Sequence, residues 1–182
     1  SGVGILSTTV ALMKLIATEK PDLIIQVGIA GTFDTTKPLG KVVVIKNESM
    51  GDLGVTEKGQ WKDVFDLGLI KNNRRPFKKK LLPNPWIKQY NLLKLPTVNE
   101  VTVNQISTNK KQIEQLIQKY NPVVESMEGA ALHYVCLDAH IPFLQIRAIS
   151  NYVGERNKQK WLLKDSISNL NAAVIQLIDQ LS

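Results

Sequence analysis

Apolar side chains along this chain follow two rhythms, a helical one of three to four residues and short unbroken runs rich in Val and Ile. Residues 5–18 carry the first, with Leu6, Val10, Met13 and Ala17 on one helical face. Lys20-Pro21-Asp22 stops that helix. Residues 110–120 repeat the pattern, placing Ile113, Leu116, Ile117 and Tyr120 at i, i+3, i+4 and i+7. Residues 163–181 predict a third amphipathic helix, with Ile167, Leu170, Val174, Leu177, Ile178 and Leu181 facing inward. A fourth, rich in Ala, Leu and Val, is expected over 128–138. The second rhythm marks buried strands over 23–27, 41–46, 122–125 and 142–149, with a short strand over 101–106. Gly28-Ile29-Ala30-Gly31 is expected to end the first strand. Residues 51–95 are polar and hold several prolines, so they read as loops and insertions.

Strands alternate with helices, and the central strands are apolar on both faces. This predicts an α/β fold, one domain over 1–182, with a mixed, mostly parallel central sheet flanked by helices. In such sheets ligands bind beyond the carboxyl ends of the strands. Three of those ends collect chemistry. Gly28, Ile29, Ala30 and Gly31 let a ligand approach the backbone, or simply make a tight turn. Glu125-Ser126-Met127-Glu128 brackets a Ser-Met pair with two carboxylates. The dipole of the following helix favours Glu128, a structural reading that competes with a functional one. Arg147 lies inside an apolar run, where a charge needs an acid or an anion beside it. Ser150 and Asn151 close that run with a hydroxyl and an amide. His133 and His140 are isolated, and no metal site or cofactor is expected. Gly-x-Ser-x-Gly and phosphate-loop lysine motifs are absent, and Gly2-Val3-Gly4 lacks the third glycine of the dinucleotide fingerprint.

The composition, 43% hydrophobic and 21% charged in 182 residues, is that of a globular chain. No apolar run is long enough for a bilayer, so no membrane partner is expected. One cysteine, Cys136, allows no internal disulfide and suits a reducing, cytoplasmic setting. The net charge of +7 raises the question of nucleic acid, and much of the excess sits in Arg74-Arg75-Pro76-Phe77-Lys78-Lys79-Lys80. No zinc-finger spacing or RNA-binding aromatic signature accompanies it, so a solvated loop is the expected reading. The chain opens on Ser1, directly before a glycine-rich turn of the kind that normally follows a strand. It is expected to be the N-terminally incomplete part of something longer.

Five segments stand out together: SGVG at 1–4, KPDLIIQVGIAG at 20–31, LGKVVVIKNESMGDLG at 39–54, VESMEGAA at 124–131 and PFLQIRAISNYVG at 142–154. In this order they resemble the nucleoside phosphorylase and nucleosidase superfamily. ESMEGAA and ISNYVGERNKQKW, closing on Trp161, are most similar to its futalosine hydrolase branch, which serves an alternative menaquinone pathway. The resemblance implies roles. Glu128 would bind ribose hydroxyls and Met127 would pack under the sugar. Gly28 to Gly31 would line the sugar and nucleophile side, and Arg147 would orient the attacking water or a neighbouring acid. Ser150 and Asn151 would lie at the base. Ile106 ends the segment where the family places a base-stacking residue, without the usual aromatic.

Relatives that cut adenine nucleosides carry Asp where this chain has Asn151. An amide offers both a donor and an acceptor to a 6-oxopurine such as hypoxanthine, the base of futalosine. The implied activity is therefore hydrolysis of a 6-oxopurine nucleoside, a small-molecule substrate, by a homo-oligomer. A purine nucleoside phosphorylase or a methylthioadenosine/S-adenosylhomocysteine-type nucleosidase is the alternative. A non-catalytic nucleic-acid module using 74–80 is the reading of a different class. The family's water-activating acid lies before the point where this sequence starts, so the resemblance names no general base. Glu125 is only a weak substitute.

Overall fold

The computed structural model describes residues 2–181, so Ser1 of the SGVG segment lies outside the described residues. The chain runs α1 (Ile5–Glu19), β1 (Ile24–Thr32), β2 (Val42–Met50), β3 (Gly54–Glu57), β4 (Gln60–Asp63), β5 (Leu82–Pro83) and α2 (Ile87–Tyr90). It continues with β6 (Thr97–Thr102), α3 (Lys110–Tyr120), β7 (Val124–Ser126), α4 (Gly129–Ala139), β8 (Phe143–Tyr152) and α5 (Leu163–Leu181).

The main sheet has the order β5-β2-β6-β7-β1-β8, and β2 also pairs with β8. Five strands thus close into a barrel, which removes the sheet edges that an open sheet would expose. The expected α/β class and mixed sheet are present, but "mostly parallel" is not. The pairs β1–β8, β2–β6 and β6–β7 are parallel, whereas β1–β7, β2–β8 and β2–β5 are antiparallel. Apolarity on both faces records burial on both faces, which a barrel wrapped by helices also provides. Ala30, Val43, Ile45, Val98, Val124 and Ile149, from all five barrel strands, form one buried cluster. On the opposite parity Val44, Leu144, Ile146 and Ala148 pack against Leu170 and Leu177 of α5.

Several boundaries differ from the sequence-based expectation. β1 continues through Gly28–Gly31 rather than ending there, and β8 continues to Tyr152. β6 covers 97–102, not 101–106, because Asn99 and the buried Glu100 interrupt the apolar pattern that marks a strand. The stretch 51–95 includes a hairpin, β3–β4, pinned by Asp63. Asp63 Oδ1 accepts from the Phe65 and Asp66 amides at 3.0 and 2.8 Å. Lys80 and Lys119 each pair with both Asp63 and Asp66. The basic stretch 74–80 is therefore partly structural: Lys80 is paired, and Phe77 is buried edge-on against Phe65 and Tyr134.

Helix faces were the least legible feature. In α1 the buried residues are Thr8 and Leu12, while Leu6, Val10, Met13 and Ala17, the face the spacing picks out, are exposed. Apolar residues surround this helix, so spacing alone could not select the side that meets α4. In α5 the seam is narrow: Leu170 and Leu177 are buried, whereas Ile167, Ile178 and Leu181 are exposed.

Candidate active site

The site begins with an irregularity in β8. Its parallel register with β1 pairs Ala30 with Ile149 and then Gly31 with Asn151, passing over Ser150. A bulge of this kind re-aims the residue after it. It explains why an apolar strand carries a hydroxyl and an amide near its end. Ser150 is buried and donates to Asn151 Oδ1 at 2.8 Å. Asn151 Nδ2 donates to the Tyr152 carbonyl at 3.1 Å, which fixes the amide's orientation. One N–H and one lone pair of the amide stay open. A Cβ on Gly31 would sit 3.2 Å from Nδ2, so glycine keeps the floor beside the amide clear.

The second group is built around Arg147, also on β8. Its guanidinium is buried and donates to Ser126 Oγ at 3.0 Å and Gln26 Oε1 at 3.2 Å. Its Nε lies 3.3 Å from Glu100 Oε1, and Nη2 lies 3.9 Å from Glu128 Oε2. Gly28 is glycine for the same cluster, since a side chain there would run into Nη1 of Arg147. Glycines expected to make a turn therefore serve as strand positions where functional side chains approach closely. Glu128 stands just before α4 but makes no side-chain cap to that helix. Its Oε1 accepts instead from the Gly4 amide, across the chain, at 3.1 Å.

Behind Arg147 lies a polar layer that sequence reasoning passed over. Glu48 and Glu100 are fully buried, and Gln145 Nε2 donates to both, at 3.1 and 2.6 Å. Thr102 donates to Glu48 at 2.9 Å. Burial, and then repulsion from Glu100, push the Glu48 carboxyl well above the usual range. Burial also raises Glu100, with Arg147 pulling the other way. Charged residues inside Val/Ile strands, at Glu48 and Glu100, were the signal available in the sequence.

Two adjoining cavities of about 200 and 240 Å³ share Ile29 and Glu128. Together they fall in the range of ~300–1,000 Å³ usual for small-molecule sites. Ile29, Ala30, Gly31, Ile106, Met127, Glu128, Ser150 and Asn151 all line the first cavity. Gly28 and Arg147 line the second. All ten residues singled out from the sequence thus meet at one place. The first cavity adds Glu125, Arg156 and Trp161. Trp161 gives this cavity an aromatic wall, anchored by its Nε1–H to the Glu155 carbonyl at 3.0 Å and flanked by Arg156.

A model of the phosphorylase superfamily matches residues 1–181. The chain belongs to that superfamily. Among members, the futalosine hydrolase of Thermus thermophilus is 28% identical over 182 residues, covering 98% of this chain and 79% of its own. That of Streptomyces coelicolor is 27% identical over 86% of this chain, which spans 65% of it. The 5'-methylthioadenosine/S-adenosylhomocysteine nucleosidase of Tolumonas auensis is 26% identical, covering 100% and 80%. Two solved structures share the superfamily fold. Futalosine hydrolase of Helicobacter pylori has a TM-score of 0.78 at 17% identity, covering 99% of this chain and 77% of its own. Arabidopsis thaliana 5'-methylthioadenosine nucleosidase has 0.77 at 21%, covering 100% and 71%. These members are named as hydrolases or nucleosidases, in agreement with the expected N-glycosyl hydrolase.

Proposed function

We propose that this superfamily member hydrolyses the N-glycosidic bond of a purine nucleoside, and that its preferred base is a 6-oxopurine, as in futalosine. The observation that carries the choice of base is the fixed amide of Asn151. The Tyr152 carbonyl takes one N–H of Nδ2, and the other is left beside the open floor at Gly31. A donor there matches the O6 acceptor of hypoxanthine and opposes the amino group of adenine.

The remaining residues fit the chemistry. Breaking the bond builds positive charge on the sugar and negative charge on the departing base. Glu128, with one oxygen on the Gly4 amide, keeps lone pairs for ribose hydroxyls. Its negative charge also favours a cationic sugar. Met127 lines the same wall, and Trp161 offers a face for a planar ring. Arg147, held by Ser126, Gln26 and Glu100, fixes the second cavity on the far side of Glu128. A water placed in that cavity would lie between the arginine and the sugar.

Calorimetric titration with hypoxanthine and adenine tests the base preference, because base binding needs no turnover. Tighter binding of hypoxanthine supports the proposal, and tighter binding of adenine overturns it. The second reading, a methylthioadenosine/S-adenosylhomocysteine nucleosidase, rests on relatives of comparable similarity. The adenine result is the one that reading requires.

A further inference from the structure

We propose that Glu125 is the acid that protonates the departing base, a catalytic role that Asn151 cannot fill. This rests on the nucleosidase reading above. An amide donates a hydrogen bond but gives up no proton at ordinary pH, so in a site closed by Asn151 any proton passed to the base comes from another group.

The register of the barrel places one. Gly31 of β1 pairs with Glu125 of β7 on one side and with Asn151 of β8 on the other. The three residues form a row across adjacent strands, and all three line the first cavity. Neighbouring strands lie about 4.8 Å apart, so the two outer Cα atoms stand roughly 10 Å apart. A planar base over the glycine would have the amide at one edge and the carboxyl at the other.

Glu125 is also built as an acid. It is 6% exposed. Its Oε1 accepts from the Ser107 amide at 3.1 Å, while Oε2 is enclosed with no hydrogen-bond partner among the described residues. An enclosed, unpartnered carboxylate oxygen favours the protonated form. Burial raises the carboxyl above its usual range, and the charges of Asp52 and Glu100 add to this. The Ser107 contacts pull the other way. Glu128, Glu155 and Arg156 are the other charged residues around the same cavity.

In the step itself the C1′–N bond breaks and its electron pair stays with the base. The Glu125 proton passes to a ring nitrogen of that base. The oxygen of water bonds to C1′, and the proton that water loses goes to solvent. Solvent then restores the proton on Glu125.

The pH profile of turnover tests this. kcat and KM for futalosine are measured across a range of pH in the wild type and in Glu125→Gln, beside calorimetric binding of hypoxanthine. Gln keeps an acceptor for the Ser107 amide but has no proton to give. The expected result is a wild-type kcat that falls as pH rises through the titration of the carboxyl, and a Glu125→Gln kcat at least about a hundredfold lower with that alkaline limb gone, while hypoxanthine still binds. A Glu125→Gln kcat within about threefold of wild type overturns the proposal, as does an alkaline limb unchanged in the variant. If Glu125→Gln does not fold, Glu125→Asp replaces it: a titrating carboxyl one methylene shorter must move the alkaline limb, and an unmoved profile is the refutation. Failure of the wild type to release a base from any purine nucleoside would take down the nucleosidase reading itself, a result distinct from turnover that Glu125→Gln leaves intact.

Discussion

Replacing Asn151 by Asp changes two atoms' worth of chemistry at one fixed point. In the native site Nδ2 donates to the Tyr152 carbonyl at 3.1 Å, and Oδ1 accepts from Ser150 at 2.8 Å. An ionised Asp would keep the Ser150 bond but set a carboxylate oxygen against the Tyr152 carbonyl. It would also face the O6 of a bound 6-oxopurine with a second negative oxygen instead of an N–H. Each mismatched polar pair costs about 1–3 kcal/mol in a closed site. At 1.36 kcal/mol per factor of ten, losing the O6 contact alone weakens hypoxanthine binding by roughly 5- to 150-fold. Protonating the new Asp supplies a single O–H, enough to repair one of the two mismatches, so the loss should be larger near pH 8 and smaller near pH 5, with a steeper pH dependence than in the wild type. Adenine should lose less than hypoxanthine, because its amino group is a donor that the carboxylate accepts. Calorimetric titration of both bases into both proteins at the two pH values gives all the terms. Hypoxanthine binding by Asn151→Asp as tight as wild type near pH 8 would refute the reasoning, since the amide would then not touch the base.

Three further outcomes follow from the buried chemistry. Gly28→Ala drives a methyl group into Arg147 and should lower kcat/KM about a hundredfold while circular dichroism shows the fold retained; unchanged kinetics would mean that the arginine position is not critical. His133 is fully buried, with Nδ1 2.7 Å from the Leu82 carbonyl, and burial lowers its imidazole to about 3. The unfolded chain takes up that proton at a higher pH than the folded one. Stability is therefore full above about pH 6.5 and should fall by about 1.4 kcal/mol per pH unit between there and pH 3, a slope that His133→Asn removes in denaturant titrations. Cys136 is buried and its thiol is pushed up to about 12, so a thiol-reactive disulfide reagent should label the native protein only as fast as it opens, and rapid stoichiometric labelling would contradict this burial.

The parts of this site that were legible in the sequence are those where residue type departs from what a strand needs. Arg147, Ser150 and Asn151 stood out because an apolar strand has no use for them, and Gly28 and Gly31 stood out as small residues just past an expected strand end, where a ligand can approach the backbone. The reason for those glycines was not legible. Gly28 and Gly31 yield space to side chains 119 and 120 positions later in β8, and only the register between the two strands shows it. The barrel was hidden for a similar reason: strands apolar on both faces look alike whether they lie in an open parallel sheet or in a closed mixed one. Glu48 and Glu100 were passed over because each interrupts a strand pattern singly, and their meaning depends on Gln145 joining them. Trp161 was noticed only as the end of a motif, because the bend after β8 that carries it back to the cavity has no periodic signature. The face of α1 was unreadable because its apolar residues go all the way round.

The account's central claim is a hydrolytic cut that releases a 6-oxopurine. The most direct measurement is base release from futalosine and from methylthioadenosine, side by side, in buffer free of phosphate. The account predicts hypoxanthine release from futalosine without phosphate, at a kcat/KM at least about tenfold above that for adenine release, the factor expected from one mismatched polar pair. Faster release of adenine, or cleavage that appears only when phosphate is added, would contradict it.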